Sequence, residues 1–166
     1  MTTREDLQTA FAGESQANRK YLFFAEKADR EDHPQIAHLF RAVAEAETVH
    51  ARNHLEAMGD NKTTAENIET AINGENYEFT QMYPGFLEKA KAEGDKKAQL
   101  SFSWANQVEQ IHYQLYQKAL ETIKGSQGQG EVAYYVCQTC GNTVSGQAPD
   151  RCPICGSPRS KFKRID

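Results

Sequence analysis

The sequence predicts a mainly α protein, in which a four-helix bundle precedes a small cysteine-containing β domain. Four long segments repeat apolar residues at the three- and four-residue spacing of amphipathic helices; they span about 3–30, 33–58, 64–93 and 95–124. A charge-free, Gly-rich stretch, GSQGQG, follows the fourth segment and has the composition of a flexible hinge. All four cysteines lie beyond this hinge, in a short region without helical periodicity.

The ends of the four segments carry helix start and stop signals. Thr63 followed by Glu66 fits a capping box, and Asp32 just ahead of Pro34 fits a helix start. Three glycines stand where helices should stop: Gly59, Gly94 and Gly125. Pro84 lacks a backbone N–H, so it should bend or break the third helix about four residues earlier.

Composition and punctuation together predict the domain organisation. The bundle should occupy 1–125, the linker 126–130 and the small domain 131–166. The N-terminus lacks the apolar core of a signal peptide, and no stretch approaches the roughly 20 apolar residues of a membrane span, which predicts a cytoplasmic protein without a membrane partner. Residues 1–125 carry 14 Lys/Arg against 20 Asp/Glu, a balance that does not favour nucleic-acid binding.

Carboxylates interrupt the apolar stripe of every predicted helix near its middle. A single Glu in such a place is usually half of an ion pair or a misjudged helix face. Here five glutamates and two histidines should be buried side by side, and the stripes hold no Lys or Arg to neutralise them. Burying one unpaired carboxylate costs roughly several kcal/mol, so this pattern indicates bound cations. The seven residues are Glu14, Glu47, His50, Glu75, Glu78, Glu109 and His112.

The spacing of these residues supports a metal site. Glu47 and His50 form a Glu-x-x-His pair on the second helix, and VEQIH repeats the pair on the fourth helix as Glu109 and His112. Residues three apart share one face of a helix, so each pair can reach one ion or two adjacent ions. Single glutamates on the other two helices complete the arrangement typical of di-iron and di-manganese bundles. Carboxylate and imidazole ligands suit iron or manganese.

The C-terminal region contains two Cys-x-x-Cys-Gly knuckles separated by eleven residues. In a reducing cell this spacing predicts one tetrahedral metal ion on four thiolates, and not disulfides. The ligand set by itself leaves zinc and iron equally open, because a zinc ribbon uses the same four cysteines. The predicted ligands are Cys137, Cys140, Cys152 and Cys155.

Over essentially its whole length the sequence resembles the rubrerythrin family. The similarity is carried by the segments AGES, EAETVH, GENYEFTQMYP and VEQIH, and by the knuckles VCQTCG and CPICG. The resemblance implies a ferritin-like four-helix bundle with a di-iron centre and a rubredoxin-like domain with one iron on four cysteines. It also implies an enzyme of oxidative-stress defence, a peroxidase that reduces hydrogen peroxide to water.

The resemblance assigns a role to each ligand. Glu47 and Glu109 would bridge the irons, and Glu14 would bind the first iron as a terminal ligand. Glu75 with His112 would bind the second iron. The first iron would take His50 when reduced and Glu78 when oxidised, because a ferric ion favours an added anionic oxygen. Two tyrosines are similar to residues that hydrogen-bond ligand glutamates in the family; they are Tyr21 and Tyr83.

The resemblance also implies the partners. Electrons would come from NAD(P)H through an external reductase or rubredoxin, since the chain shows no Gly-rich nucleotide-binding loop. A homodimer is expected in which the tail of one subunit serves the bundle of the other, and exchange of helix pairs between the subunits stays open. Three other functions stay open at this point: dioxygen reduction, ferroxidase or iron-handling activity, and a non-enzymatic module with a structural zinc ribbon.

Overall fold

A computed structural model describes residues 2–125 and 130–166 and shows the predicted mainly α architecture. The helices begin and end within a few residues of the predicted limits. They are α1 (Thr3–Arg30), α2 (Pro34–Met58), α3 (Thr64–Tyr77), α4 (Tyr83–Ala92) and α5 (Lys96–Lys124), with a π-helical segment, Glu78–Met82, between α3 and α4. In the described part of the chain, no helix has the length and apolarity that would let it cross a membrane.

The chain divides into two compact units, residues 1–62 and 63–166. The first unit is the α1–α2 hairpin. Small side chains line its interface, where Ala25, Ala28 and Ala37 are buried and Phe40 packs against them. Asn18 adds a polar link, since its Nδ2 donates to the Ala44 carbonyl at 2.6 Å and to Thr48 Oγ1 at 2.8 Å. Alanines let the two helices approach closely, and this fixes which residues of α1 and α2 face each other.

The start of α2 differs in detail from the prediction. The helix begins at Pro34 as expected, but the residue at the cap is His33, whose side chain makes no capping hydrogen bond. Asp32 instead takes a φ of 60°, a left-handed turn conformation that Asp tolerates better than most residues. The capping box at the start of α3 is confirmed, with reciprocal hydrogen bonds between Thr63 and Glu66.

In the second unit, α3, the π segment and α4 pack along α5. The predicted irregularity near Pro84 is the π segment itself. The Tyr83 N–H bonds to the Glu78 carbonyl five residues earlier, and Pro84, which has no N–H to offer, sits in the first turn of α4. The wider turn is a frequent feature of functional sites, and here it begins at Glu78, one of the predicted ligands.

The C-terminal module of the second unit is a three-stranded antiparallel sheet in the order β2–β1–β3. Its strands are β1 (Tyr134–Cys137), β2 (Thr143–Ser145) and β3 (Phe162–Ile165), with a short 3₁₀ helix, Arg159–Lys161, before β3. Gly141 and Gly156 close the two knuckles with φ of 82° and 75°, the left-handed region that glycine adopts without strain. Of the predicted linker 126–130, residues 126–129 lie outside the described part of the chain.

Candidate metal centres

The α1–α2 hairpin brings together Glu14, Glu47 and His50. One ligand atom from each lies within 4.8 Å of the others. The Nδ1 atom of His50 is 2.9 Å from Oε2 of Glu47, one helical turn away. The His50 side chain is 54% exposed and that of Glu47 is 14% exposed, so this cluster lies on an open face of the hairpin.

The second unit repeats the arrangement with Glu75 from α3 and Glu109 and His112 from α5. One ligand atom from each again lies within 4.8 Å of the others. His112 Nδ1 is 2.7 Å from Glu109 Oε2 and 4.0 Å from Glu75 Oε1. The side chains are only 16 to 26% exposed. Both predicted Glu-x-x-His pairs therefore present Nδ1 of the histidine to the carboxylate of the same pair.

Burial and like charge perturb the carboxylates of the second cluster. Burial, reinforced by the Glu109 charge, raises the pKa of Glu75 to about 7. Burial and Glu109 also raise the pKa of Glu78, which places Glu78 next to this cluster. The hydrogen bond to Glu109 raises the pKa of His112 against the opposing effect of burial. Without a metal ion the cluster therefore holds protons near neutral pH.

Each cluster fits a hard divalent or trivalent cation. Ligand atoms bound to one ion at about 2.1 Å lie at most about 4.2 Å apart, so the side chains need to move inward by less than about 1 Å. Two carboxylates with one imidazole are a donor set suited to iron or manganese. A bound cation would also replace the protons that keep the carboxylates of the second cluster together.

The prediction that the seven ligands are buried side by side holds only in part. The ligands are half-buried, and His50 is exposed. The position of a residue on an apolar stripe shows the direction of its side chain, and not how much of that side chain its neighbours cover.

The two predicted tyrosines lie in different surroundings. Tyr21 packs against Phe24 and Phe40, with ring centroids 6.2 and 6.1 Å away, within the α1–α2 hairpin. Burial and the Glu78 charge raise the pKa of Tyr83, which places its phenol near the second cluster. A hydrogen bond from either tyrosine to a ligand glutamate stays a prediction.

The four cysteines converge as predicted and are free thiols. Sγ of Cys137 is 3.7 Å from Sγ of Cys155, and Sγ of Cys140 is 3.5 Å from Sγ of Cys152. Tetrahedral coordination at about 2.3 Å requires sulfur separations of about 3.8 Å, so the site is shaped for one ion. Burial acts to raise the pKa of Cys155, yet hydrogen bonds from Ser157 lower it to about 6.

Two residues that the sequence did not single out join these sites. Asn142 is fully buried, and its Nδ2 donates to Sγ of Cys152 at 3.6 Å. Thr143 Oγ1 lies 2.9 Å from Nε2 of His112 and so connects the cysteine module with the second cluster. Both residues follow the first knuckle directly, and no local pattern distinguishes them from ordinary turn residues.

Comparison with known proteins places this combination of sites in a family. Residues 5–120 match the family model described as Rubrerythrin, and residues 135–163 match the one described as Rubrerythrin, rubredoxin-like domain. The chain belongs to the rubrerythrin family. It is 35% identical to Rubrerythrin-2 of Clostridium acetobutylicum over 97% of this chain and 95% of that protein. It is 34% identical to nigerythrin of Nitratidesulfovibrio vulgaris, over 97% of this chain and 85% of that one.

Solved structures agree with this assignment. A mixed-valent state of nigerythrin aligns with a TM-score of 0.59 and 32% identity, covering 99% of this chain and 87% of the other. A fully reduced, all-ferrous state of nigerythrin gives 0.60 and 31% with the same coverage. The family confirms the predicted cofactors, a di-iron site and one iron on the four cysteines of the rubredoxin-like domain.

The protonated second cluster predicts how the stability of the metal-free protein depends on pH. Folding raises the pKa of both Glu75 and His112. Their contribution to the free energy of unfolding is therefore fully present below their unfolded-state pKa values of 4.5 and 6.5. It is lost as the pH rises through their pKa values in the folded protein. Thermal melting of the metal-free protein should therefore show a Tm that falls between pH 5 and pH 8. Glu75→Gln should flatten this fall, whereas Glu69→Gln, on the same helix but paired with Lys124, should not. An equal fall in Tm for the wild type and both variants would contradict a protonated Glu75 in the metal-free cluster.

Proposed function

We propose that the protein is a non-haem di-iron peroxidase that reduces hydrogen peroxide to water with electrons relayed through the cysteine-bound iron. The observation that carries the proposal is the contact between the two kinds of metal site. The rubredoxin-like module lies against α5, where Thr143 meets His112 of the carboxylate cluster. A structural zinc ribbon has no need for such a contact, whereas an electron-transfer module requires proximity to the site that it reduces.

The overall reaction consumes one hydrogen peroxide, two electrons and two protons and yields two waters. When bound, the iron pair supplies the two electrons that break the O–O bond. The chain's own residues would hold the pair, with Glu47 and Glu109 as the shared ligands. Glu14 and His50 would serve one iron, and Glu75 and His112 the other. A pocket of about 490 Å³ borders Glu75 and His112 and admits a molecule as small as peroxide.

Glu78 is the seventh ligand of the proposal. Its carboxylate interacts electrostatically with Glu109 and His112, and Glu78 is the first residue of the π segment. The Glu78 N–H still bonds to the Gly74 carbonyl four residues earlier, so Glu78 follows Glu75 with regular helical spacing and the wider turn begins beyond it. We propose that this residue and His50 serve the same iron in its oxidised and reduced states, because an exposed imidazole and a half-buried carboxylate are both free to move.

The donor is a separate protein, an NAD(P)H-dependent reductase or a rubredoxin, acting in a reducing cytoplasm that keeps the four cysteines free of disulfides. The family-model matches end at residue 120 and resume at residue 135, which supports a domain boundary at 126–130. Ferroxidase activity is less well supported, because oxidising iron for storage needs no reductant port. Dioxygen is the competing oxidant, and direct rate comparison of the two oxidants decides between them.

Replacing the cysteine-bound iron with zinc should separate the two halves of this function. Zinc occupies four thiolates with similar geometry but has no redox chemistry. With iron in the carboxylate site, the zinc form should consume one equivalent of peroxide after chemical reduction, as the all-iron form does. Steady-state peroxidase turnover with reductase and NAD(P)H should be lost in the zinc form. Undiminished steady-state turnover would show that electrons enter the carboxylate site directly.

We propose that the active form is a homodimer with exchanged helix pairs. The family's di-iron centre needs ligands from four helices, and each unit of this chain carries two of the ligand-bearing segments. The α1–α2 hairpin also leaves large apolar side chains in solvent, with Phe23 57% and Leu39 59% exposed. Exchange would place the cysteine module of one chain, which lies on its own α5, beside α1 and α2 of the other chain.

Subunit mixing tests the exchange. Glu14→Ala and Glu75→Ala should each abolish the iron pair, because each removes a ligand from every site of a homodimer. In an exchanged heterodimer of the two variants, each bundle combines α1 and α2 of one chain with α3 to α5 of the other. One bundle therefore contains both substitutions, and the other contains neither. Refolding an equal mixture should therefore restore about one quarter of the wild-type peroxidase activity, assuming random pairing and independent sites. No recovery in a mixture shown to contain heterodimers would contradict exchange.

A further inference from the structure

We propose that Thr143 is a positioning residue that fixes the tautomer and orientation of His112 and so makes the cysteine module part of the carboxylate site. The role of this contact in catalysis rests on the proposed function, whereas the contact between Thr143 and His112 does not. The His112 ring lies between two groups of partners. Nδ1 faces Glu109 at 2.7 Å and Glu75 at 4.0 Å, whereas Nε2 faces Thr143 Oγ1 at 2.9 Å.

The direction of the Thr143 hydrogen bond follows from its other partner. The hydroxyl of Thr143 donates its only proton to the Gly141 carbonyl at 3.1 Å. With its proton on this bond, the hydroxyl oxygen accepts from Nε2–H of His112, and the Gly141 carbonyl is a further acceptor for the same imidazole. When a cation replaces the proton on Nδ1, His112 is thus held as the Nε2–H tautomer, with the Nδ1 lone pair directed at the carboxylates.

The position of Thr143 is itself set by the cysteine module. Thr143 opens β2 and pairs with Val136, the residue before Cys137. Gly141 N–H donates to the Cys137 carbonyl at 2.9 Å, and a Cβ atom at Gly141 would lie 3.9 Å from the side chain of Val108 on α5, which is 2% exposed. The closed knuckle therefore places Thr143 beside His112.

The other histidine provides an internal comparison. His50 makes the same Nδ1 contact with its own Glu47, but in the described part of the chain its Nε2 has no partner corresponding to Thr143. It is 54% exposed, against 26% for His112. The two Glu-x-x-His pairs therefore have the same sequence pattern, but only the His112 ring is held by a second contact, from Thr143. This suits His112 to permanent metal ligation and His50 to ligand exchange.

The same contact provides a bonded route between the two metal sites. From Cys140 the path follows the main chain to the Gly141 carbonyl and crosses two hydrogen bonds to His112. One electron leaves the thiolate site and one enters the carboxylate site at each transfer. The proton stays on Nε2, so the route carries electrons alone.

The test uses the iron-loaded, fully reduced, full-length protein and the variants Thr143→Val and Thr143→Ser. Valine keeps the shape and removes the acceptor, while serine keeps the hydroxyl. Proton NMR of the ferrous protein reports the solvent exchange of each iron-bound imidazole N–H. In Thr143→Val one of the two N–H protons should exchange at least about tenfold faster, as expected when a hydrogen bond of about 1.4 kcal/mol is lost. Thr143→Ser should retain the slow exchange.

Thr122→Val is the matched control, because the Thr122 hydroxyl also donates to a main-chain carbonyl on α5 and touches neither site. It should leave both N–H protons unchanged. Reoxidation of the cysteine-bound iron after peroxide addition, followed by visible absorption, should slow in Thr143→Val only. If Thr143→Val fails to load the iron pair while Thr143→Ser loads it, positioning is likewise supported. Unchanged N–H exchange in Thr143→Val, or equal defects in the valine and serine variants, would overturn the proposal, whatever the peroxidase activity.

Discussion

The architecture depends on holding carboxylates close together in partly buried positions, which is repulsive unless protons or cations lie between them. In the second unit the metal-free chain meets this constraint with protons, since burial and neighbouring charge raise the pKa of Glu75 to about 7. A cation offers the same neutralisation without protonation and so couples metal loading to stability. The helices provide the frame, because three-residue spacing on α2 and α5 places each histidine beside its own glutamate.

The cysteine module adds a second constraint. Its knuckles bring the four thiols together, and the turn after Cys140 lies against α5 next to His112. Asn142 directs its amide N–H at the Cys152 sulfur, although its Oδ1 has no partner within the described residues. Burying the unpaired Oδ1 costs free energy. The N–H···S hydrogen bond opposes this cost, and it is stronger when Cys152 is a thiolate. Consecutive residues of one turn thus contact both metal sites.

Local patterns predicted much of this molecule, because the relevant neighbours are close in sequence. The helix limits, the Glu-x-x-His pairs and the Cys-x-x-Cys knuckles all follow from spacings of three or four residues. Pro84 indicated an irregular turn but not its form, since a missing N–H is compatible with a kink, a break or a π segment. The contact between His112 and Thr143 joins residues 31 positions apart, and no periodicity specifies it. Burial of the ligands is less complete than the stripes predict, because stripe position shows the direction of a side chain and not what covers it.

We propose that the carboxylate and histidine ligands hold two irons as one coupled centre beside an isolated thiolate iron. Mössbauer spectroscopy of the ⁵⁷Fe-loaded protein, recorded fully reduced and again after one equivalent of peroxide per iron pair, tests it most directly. An all-ferrous spectrum is expected, with two oxygen- and nitrogen-ligated irons for each tetrahedral thiolate iron. Peroxide should convert the two to an antiferromagnetically coupled ferric pair. Magnetically isolated ferric ions at the carboxylate positions, or a pair that stays ferrous with peroxide, would contradict a coupled di-iron centre.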